Sequence, residues 1–173
     1  MSARHTLAFL AMLLLVATPG NAQTGSAQFN ASAYVQGPLS VVPVQDLDFG
    51  VVIPGVNTSV GPRSPNAGVW EVTGTPRAYV AISFTLPTVL DNVQTAPGVT
   101  MPISFGNNSA RWRRRRPGLG GGQRFNPAAG ATGRLGGNAR PRMYVYIGGT
   151  VSPGVTQLPG LYQGTIIISL FYP

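Results

Sequence analysis

The sequence predicts an all-β protein built as a sandwich or barrel of short antiparallel strands. Short apolar segments alternate with polar residues at a period of two, which is typical of half-buried strands. Glycine and proline, 23 and 16 of the 173 residues, lie at nearly every junction between these segments. No stretch shows a convincing helical period. Many short strands joined by Gly/Pro turns favour a sandwich or barrel over mixed or helical folds.

The strand pattern recurs along the chain and assigns a core-facing side to each segment. In residues 47–53 the apolar face includes Leu47 and Phe49, and Gly50 predicts a bulge. In residues 143–147 the alternation places Val145 inward and Tyr144 outward, with Tyr146 also outward. The predicted strands are residues 28–35, 38–44, 47–53, 69–73, 79–86, 99–105, 143–147 and 165–172.

The segment 165–172 is the most apolar of the predicted strands. Thr165 and Ser169 lie on one face. The opposite, apolar face consists of Ile166, Ile168, Leu170 and Tyr172. Such a strand must be paired on both edges or covered, because its unpaired backbone groups otherwise form a template for another chain. This pattern predicts contact with other chains rather than chemistry.

The first residues predict an exported protein. Arg4 and His5 precede an apolar run over 7–16, and small residues fill 17–22. This is the layout of a signal peptide, so we expect cleavage after residue 22 and a single domain over 23–173. The run is too short for a membrane span, and no second stretch reaches membrane length. The expected location is the periplasm, the outer cell surface or the extracellular space, with no transmembrane segment after cleavage.

The composition argues against an enzyme. His5 lies in the predicted signal peptide, and the chain has neither cysteine nor lysine. General acid–base and nucleophilic catalysis usually depend on those residues or on paired carboxylates. Asp46 and Asp48 are the only close acidic pair, and they would share one face of a strand. Two carboxylates are too few for calcium, and zinc, copper or iron sites built on imidazole or thiolate are excluded. We therefore expect no catalytic residues, no metal and no cofactor.

An arginine-rich tract is the second notable feature. Residues 111–142 contain nine of the twelve arginines among many glycines, which predicts a flexible basic loop. Its first part consists of Arg111, Trp112, Arg113, Arg114, Arg115 and Arg116. Exposed arginines beside a tryptophan could bind anionic surface polymers, with stacking on the indole. The alternative is a solvated loop without a ligand, and specific nucleic-acid recognition is not expected.

Several motifs, in this order, resemble a family of bacterial proteins. They are Phe29-Asn30-Ala31-Ser32-Ala33-Tyr34-Val35, Leu47-Asp48-Phe49-Gly50, Val72-Thr73-Gly74, Tyr146-Ile147-Gly148-Gly149-Thr150 and Pro159-Gly160-Leu161-Tyr162-Gln163-Gly164. The family is the secreted domain of unknown function 4402 (DUF4402), which is similar to spore coat protein U domains and to chaperone–usher pilin subunits. The resemblance implies an immunoglobulin-like sandwich whose seventh strand is missing. In pilins a periplasmic chaperone, and then the next subunit at the outer-membrane usher, supplies that strand.

The resemblance leaves two roles open for residues 28–35. Their alternating face consists of Phe29, Ala31, Ala33 and Val35. This face could fill the groove of a neighbouring subunit, or it could belong to an ordinary first strand of the same sandwich. The expected function is an exported structural or adhesive cell-surface subunit that assembles with like subunits through this face and the 166–172 face. The alternative is a monomeric secreted binding module that uses the arginine-rich loop.

Overall fold

The computed structural model describes residues 32–33, 35–114 and 121–173. Every described strand belongs to the compact unit Val35–Pro173. The predicted signal peptide, residues 1–22, lies outside the described residues. No helix within the described ranges is long and apolar enough to cross a membrane.

The described chain is all-β, as the sequence predicts, and all its strand pairs are antiparallel. The strands are β1 Ser40–Gln45, β2 Thr58–Val60, β3 Gly68–Thr73, β4 Tyr79–Thr85, β5 Val89–Asn92, β6 Thr100–Ser104, β7 Ala110–Arg113, β8 Gln123–Phe125, β9 Ala131–Arg134, β10 Arg142–Ile147, β11 Gly149–Val151, β12 Tyr162–Gln163 and β13 Ile167–Phe171.

Three sheets form a sandwich-like arrangement. The first sheet has the order β1-β3-β10-β7-β8, the second β13-β4-β9 and the third β12-β5-β6-β11-β2. Val72 and Val145 of the first sheet are fully buried together with Val80 and Ile82 of the second. The main core therefore lies between the first and second sheets. A separate cluster around Met101 packs within the third sheet.

Gly148 carries the chain from the first sheet into the third. It is the single residue between β10 and β11, and its amide donates to the carbonyl of Ser109 at 2.8 Å. A Cβ at this position would collide with the carbonyl oxygen of Val60. Glycine is required here because the backbones of neighbouring strands approach too closely for any side chain.

The predicted strand over 47–53 is wrong. The carboxylate of Asp48 accepts a hydrogen bond from the amide of Gly50 at 2.8 Å, and Gly50 has a φ of 64°. This local bond turns the chain where alternation predicts an extended strand. Consequently Phe49 and Val52 pack against the third-sheet cluster, while Val51 is 96% exposed. Asp46 is exposed too, and it does not share a strand face with Asp48.

The expectation of one flexible loop over 111–142 is also wrong for the described residues. β7, β8 and β9 lie in this range, and their backbone groups are paired in ladders. Leu135 is 1% exposed, so even this glycine-rich stretch contributes an anchor to the main core. Tyr144 and Tyr146 were expected outward; they lie on the outer face of the first sheet, but neighbouring side chains leave them only 5% and 8% exposed.

Tyr172 ties the end of β13 to the turn that precedes β4. Its hydroxyl oxygen accepts a hydrogen bond from the amide of Thr75 at 2.8 Å, and Thr75 is buried. The hydroxyl oxygen of Thr75 in turn accepts from the amide of Gly37 at 2.7 Å, ahead of β1. A Cβ at Gly74 would collide with the Tyr172 hydroxyl. The buried Thr75 in this turn therefore fixes both the start of β1 and the end of β13.

Replacing Tyr172 with phenylalanine should lower the free energy of unfolding by about 1–2 kcal/mol, because a buried amide loses its acceptor. Tyr79→Phe is the matched control, since Tyr79 is 56% exposed and its change should cost less than about 0.5 kcal/mol. Urea denaturation followed by tryptophan fluorescence measures both variants. Equal stability of the two variants would contradict the anchoring role of Tyr172.

Candidate functional site

β13 is paired on one side only among the described strands. It is the edge of the second sheet, and its register with β4 runs from Ile167 opposite Thr85 to Phe171 opposite Ala81. In an antiparallel ladder, alternate residues point their amide and carbonyl groups away from the paired neighbour. The other side of β13 therefore presents backbone donors and acceptors on which a further strand can add.

The two faces of β13 differ in their surroundings. Ile168, Leu170 and Tyr172 pack against the main core but are only partly buried. Ile167 and Phe171 lie on the opposite face and are 52% and 58% exposed. The structure thus places three of the four predicted apolar residues on the core side. The fourth, Ile166, lies just before β13 and is partly buried. Their incomplete burial shows that this side of the core is not closed.

β1 shows the same opening from the facing sheet. Val41 lies directly opposite Val72, so both side chains point to the same side of the sheet. Val72 is fully buried, whereas Val41 is 40% exposed. Leu39 precedes β1, and its side chain lies 3.0 Å from the position that a Cβ on Gly74 would take. The hydroxyl of Tyr172 lies close to the same position, so the start of β1 and the end of β13 are on the same side of the core. We call the partly exposed, core-facing apolar residues of these two edge strands, Val41, Ile168 and Leu170, the open groove.

Of the predicted early strand, 28–35, the structure describes only Ser32, Ala33 and Val35. Phe29 and Ala31 lie outside the described residues. Ala33 and Val35 are described, belong to no strand and are exposed, Val35 by 88%. The first described strand is β1, so these two residues give no support to the idea that 28–35 is an ordinary first strand of its own sandwich.

Arg111 is not part of an exposed cluster, contrary to the sequence-based expectation. Its side chain is fully buried, and its guanidinium carbon lies 4.3 Å from the centre of the Tyr146 ring. It also donates a hydrogen bond to the carbonyl of Gly121 at 3.1 Å. Burial lowers the pKa of Arg111, because charge is less stable away from water. This arginine therefore covers Tyr146 on the outer face of the first sheet.

Trp112 is only partly exposed. It lies opposite Val145 in the first sheet and packs against the main core. Alternation along β7 is the reason, because it turns Arg111 to one face and Trp112 to the other. Arg113 is partly buried and Arg114 is exposed. Arg115 and Arg116 lie outside the described residues.

A basic cleft appears elsewhere, with residues that the sequence does not bring together. It has a volume of about 1160 Å³, and Tyr144 and the glycine-rich turn 136–140 form part of its wall. Its arginines are Arg77, Arg114, Arg140 and Arg142. Only Arg114 belongs to the cluster predicted from sequence. The one local signal for Arg77 is the run Gly74-Thr75-Pro76-Arg77, which is a turn pattern with arginine where glycine is usual.

Comparison with known protein families finds no matching family model, and comparison with curated proteins finds no significant match. Within the described ranges no group of three His, Cys, Asp or Glu residues is placed to hold a metal ion.

Arg111→Ala should reduce the free energy of unfolding by at least about 2 kcal/mol, since it empties a fully buried side-chain site. Arg124→Ala is the matched control because Arg124 lies directly opposite Arg111 in β8 and is exposed. For that control we expect the free energy of unfolding to fall by less than about 0.5 kcal/mol. Chemical denaturation compares them, and an equally small effect for both would mean that Arg111 is solvated after all.

Proposed function

We propose that this protein is an exported, pilin-like structural or adhesive subunit that assembles by strand complementation. In this proposal the segment 28–35 of a second copy enters the open groove and pairs with β13. The observation that carries the proposal is the coincidence of two features on one side of the sandwich. β13 has an unpaired edge among the described strands, and the core-facing Val41 across the groove is 40% exposed.

The chemistry of the groove matches an added strand. Backbone groups of β13 would supply hydrogen bonds, and the apolar floor would take every second side chain of the incoming segment. In residues 28–35 the apolar side chains recur at that period. The segment, when extended, covers about 26 Å, and β13 with its five residues covers about 17 Å. The segment is therefore long enough to pair along the whole of β13.

The proposed occupant also explains why an apolar edge would be retained. Natural sheets usually protect edge strands with charges, prolines or bulges. β13 has none of these, and its sequence is Ile-Ile-Ser-Leu-Phe. An edge of this kind favours addition of a partner strand. In this proposal the same edge receives a strand from a periplasmic chaperone before assembly, as the family resemblance implies.

The main alternative occupant is the segment 28–35 of the same chain. Removal of residues 23–35 separates the two. With a donated strand, the shortened protein remains folded and no longer polymerises. With a retained strand, it loses a part of its own core and unfolds or is strongly destabilised.

Val41→Asp should abolish assembly, because a carboxylate in the groove would have to be buried beneath the incoming strand. Val42→Asp is the matched control, since Val42 is the neighbouring residue, lies on the opposite face and is 55% exposed. Light scattering coupled to size-exclusion chromatography reports the mass of each variant. We expect oligomers for the unmodified protein and for Val42→Asp, and monomers for Val41→Asp. A monomer at high concentration for all three would contradict the proposal.

A further inference from the structure

We propose that the basic cleft binds a ligand carrying two or more phosphoryl groups. We call this cleft, lined by Arg77, Arg114, Arg140, Arg142 and Tyr144, the arginine cleft. The inference is independent of the assembly proposal, because none of the groove residues Val41, Ile168 and Leu170 lines the cleft. Two properties of the cleft support it: the backbone holds the turns that carry Arg77 and Arg140, and most of the arginine charge is uncompensated within the described residues.

The turn that carries Arg140 is closed by backbone hydrogen bonds. The amide of Arg140 donates to Gly137 at 2.9 Å, and the amide of Gly136 donates to Arg142 at 3.1 Å. A Cβ at Gly136 would collide with the carbonyl oxygen of Arg140, so this turn packs tightly on itself. The wall of the cleft is therefore an ordered turn in the connection between β9 and β10.

Arg77 is held in the cleft at a conformational cost. The amide of Ala78 donates to the carbonyl of Thr75 at 3.2 Å, which closes a four-residue turn with Pro76 second and Arg77 third. Arg77 has a φ of 61° and is the only non-glycine residue with a positive φ in the described chain. Glycine is the residue that favours this position in such a turn. Backbone strain of this kind clusters at ligand sites, where the side chain has a use that glycine cannot serve.

The backbone around Arg77 is fixed on both sides. Its amide donates to the carbonyl of Gly136 at 2.8 Å, which joins the turn before β4 to the turn before β10. Its carbonyl oxygen accepts a hydrogen bond from Nε of Arg134 at 3.0 Å. The position of Arg77 relative to Arg140 and Arg142 is therefore set before any ligand arrives, which reduces the entropy lost on binding.

The charge of the cleft is largely uncompensated. Arg142 forms a salt bridge of 2.9 Å with Glu71, which also accepts a hydrogen bond from the Tyr144 hydroxyl at 3.1 Å. Within the described ranges this is the one salt bridge, and four arginines against one glutamate leave a formal charge of +3. The cleft is thus electrostatically suited to a multiply charged anion.

The chemistry of the arginines points to phosphoryl groups. A guanidinium presents a planar fork of donors that matches two oxygens of one phosphoryl group. Arg142 already pairs with Glu71, and the remaining formal charge of +3 is more than a single phosphate group neutralises. The ligand therefore carries at least two phosphoryl groups, whether it is a free oligophosphate or a phosphorylated headgroup of a lipid.

The test measures binding of inorganic triphosphate to the full chain by calorimetry, with sulfate at equal ionic strength as the comparison. Arg77→Gly is the decisive variant, because glycine suits the turn and should leave the melting temperature unchanged or raise it. We expect its affinity for triphosphate to fall at least about tenfold, the loss of one charge-assisted pair of hydrogen bonds. Arg63→Gln is the matched control, since Arg63 is exposed and does not line the cleft, and its affinity should not change.

Binding to vesicles with and without a bisphosphorylated lipid distinguishes a lipid headgroup from a free oligophosphate as the ligand. Binding to the lipid that triphosphate displaces identifies a headgroup ligand, and binding of triphosphate alone identifies a free oligophosphate; either supports the site. Triphosphate binding that Arg77→Gly and Arg63→Gln reduce equally would overturn the proposal. So would sulfate binding as tight as triphosphate binding, or no binding of triphosphate at millimolar concentration.

Discussion

The structure depends on a core between two sheets that is left partly open at β1 and β13, strands with one partner each among the described strands. β1 and β13 are edge strands of the facing sheets, and the turn at Gly74 and Thr75 fixes the start of the first and the end of the second. The apolar face of β13 is needed to cover Val80 and Ile82, so the strand cannot be made polar without loss of the core. The backbone edge of β13 is a different requirement, because pairing with β4 satisfies the hydrogen-bonding groups on only one side of the strand. This division between a face that the fold needs and an edge that the fold does not satisfy is the physical basis of the assembly proposal.

The arginines show how a sheet separates neighbouring residues into different environments. Arg111 and Trp112 are adjacent in sequence, yet one covers Tyr146 on the outer face and the other packs against the core. Conversely, Arg77 and Arg140 are distant in sequence and line one cleft, since the amide of Arg77 bonds to the turn that carries Arg140. The basic character of the protein is therefore distributed by strand alternation and by turn pairing. It does not follow the basic tract.

Part of the fold could be predicted because period-two alternation reports burial directly. The predictions for 79–86 and 99–105 agree with β4 and β6, where Val80, Ile82, Met101 and Ile103 are buried as the pattern requires. Alternation failed at 47–53, because one Asp48 carboxylate turned the chain locally. The prediction of a flexible loop over 111–142 was wrong because it relied on composition alone. Ladder hydrogen bonds and a few buried side chains such as Leu135 can order a glycine-rich chain. The open groove and the arginine cleft depend on which strands are neighbours, and the local sequence does not contain that information.

The most direct test of the central claim is hydrogen exchange at the amides of 167–171, followed by mass spectrometry over a wide range of protein concentration. The account predicts that alternate amides of β13 exchange rapidly in dilute protein and become protected as concentration rises, while the amides of β4 are protected throughout. Concentration-independent protection of every β13 amide in a monomer would show that the edge is covered within one chain, and it would contradict the account.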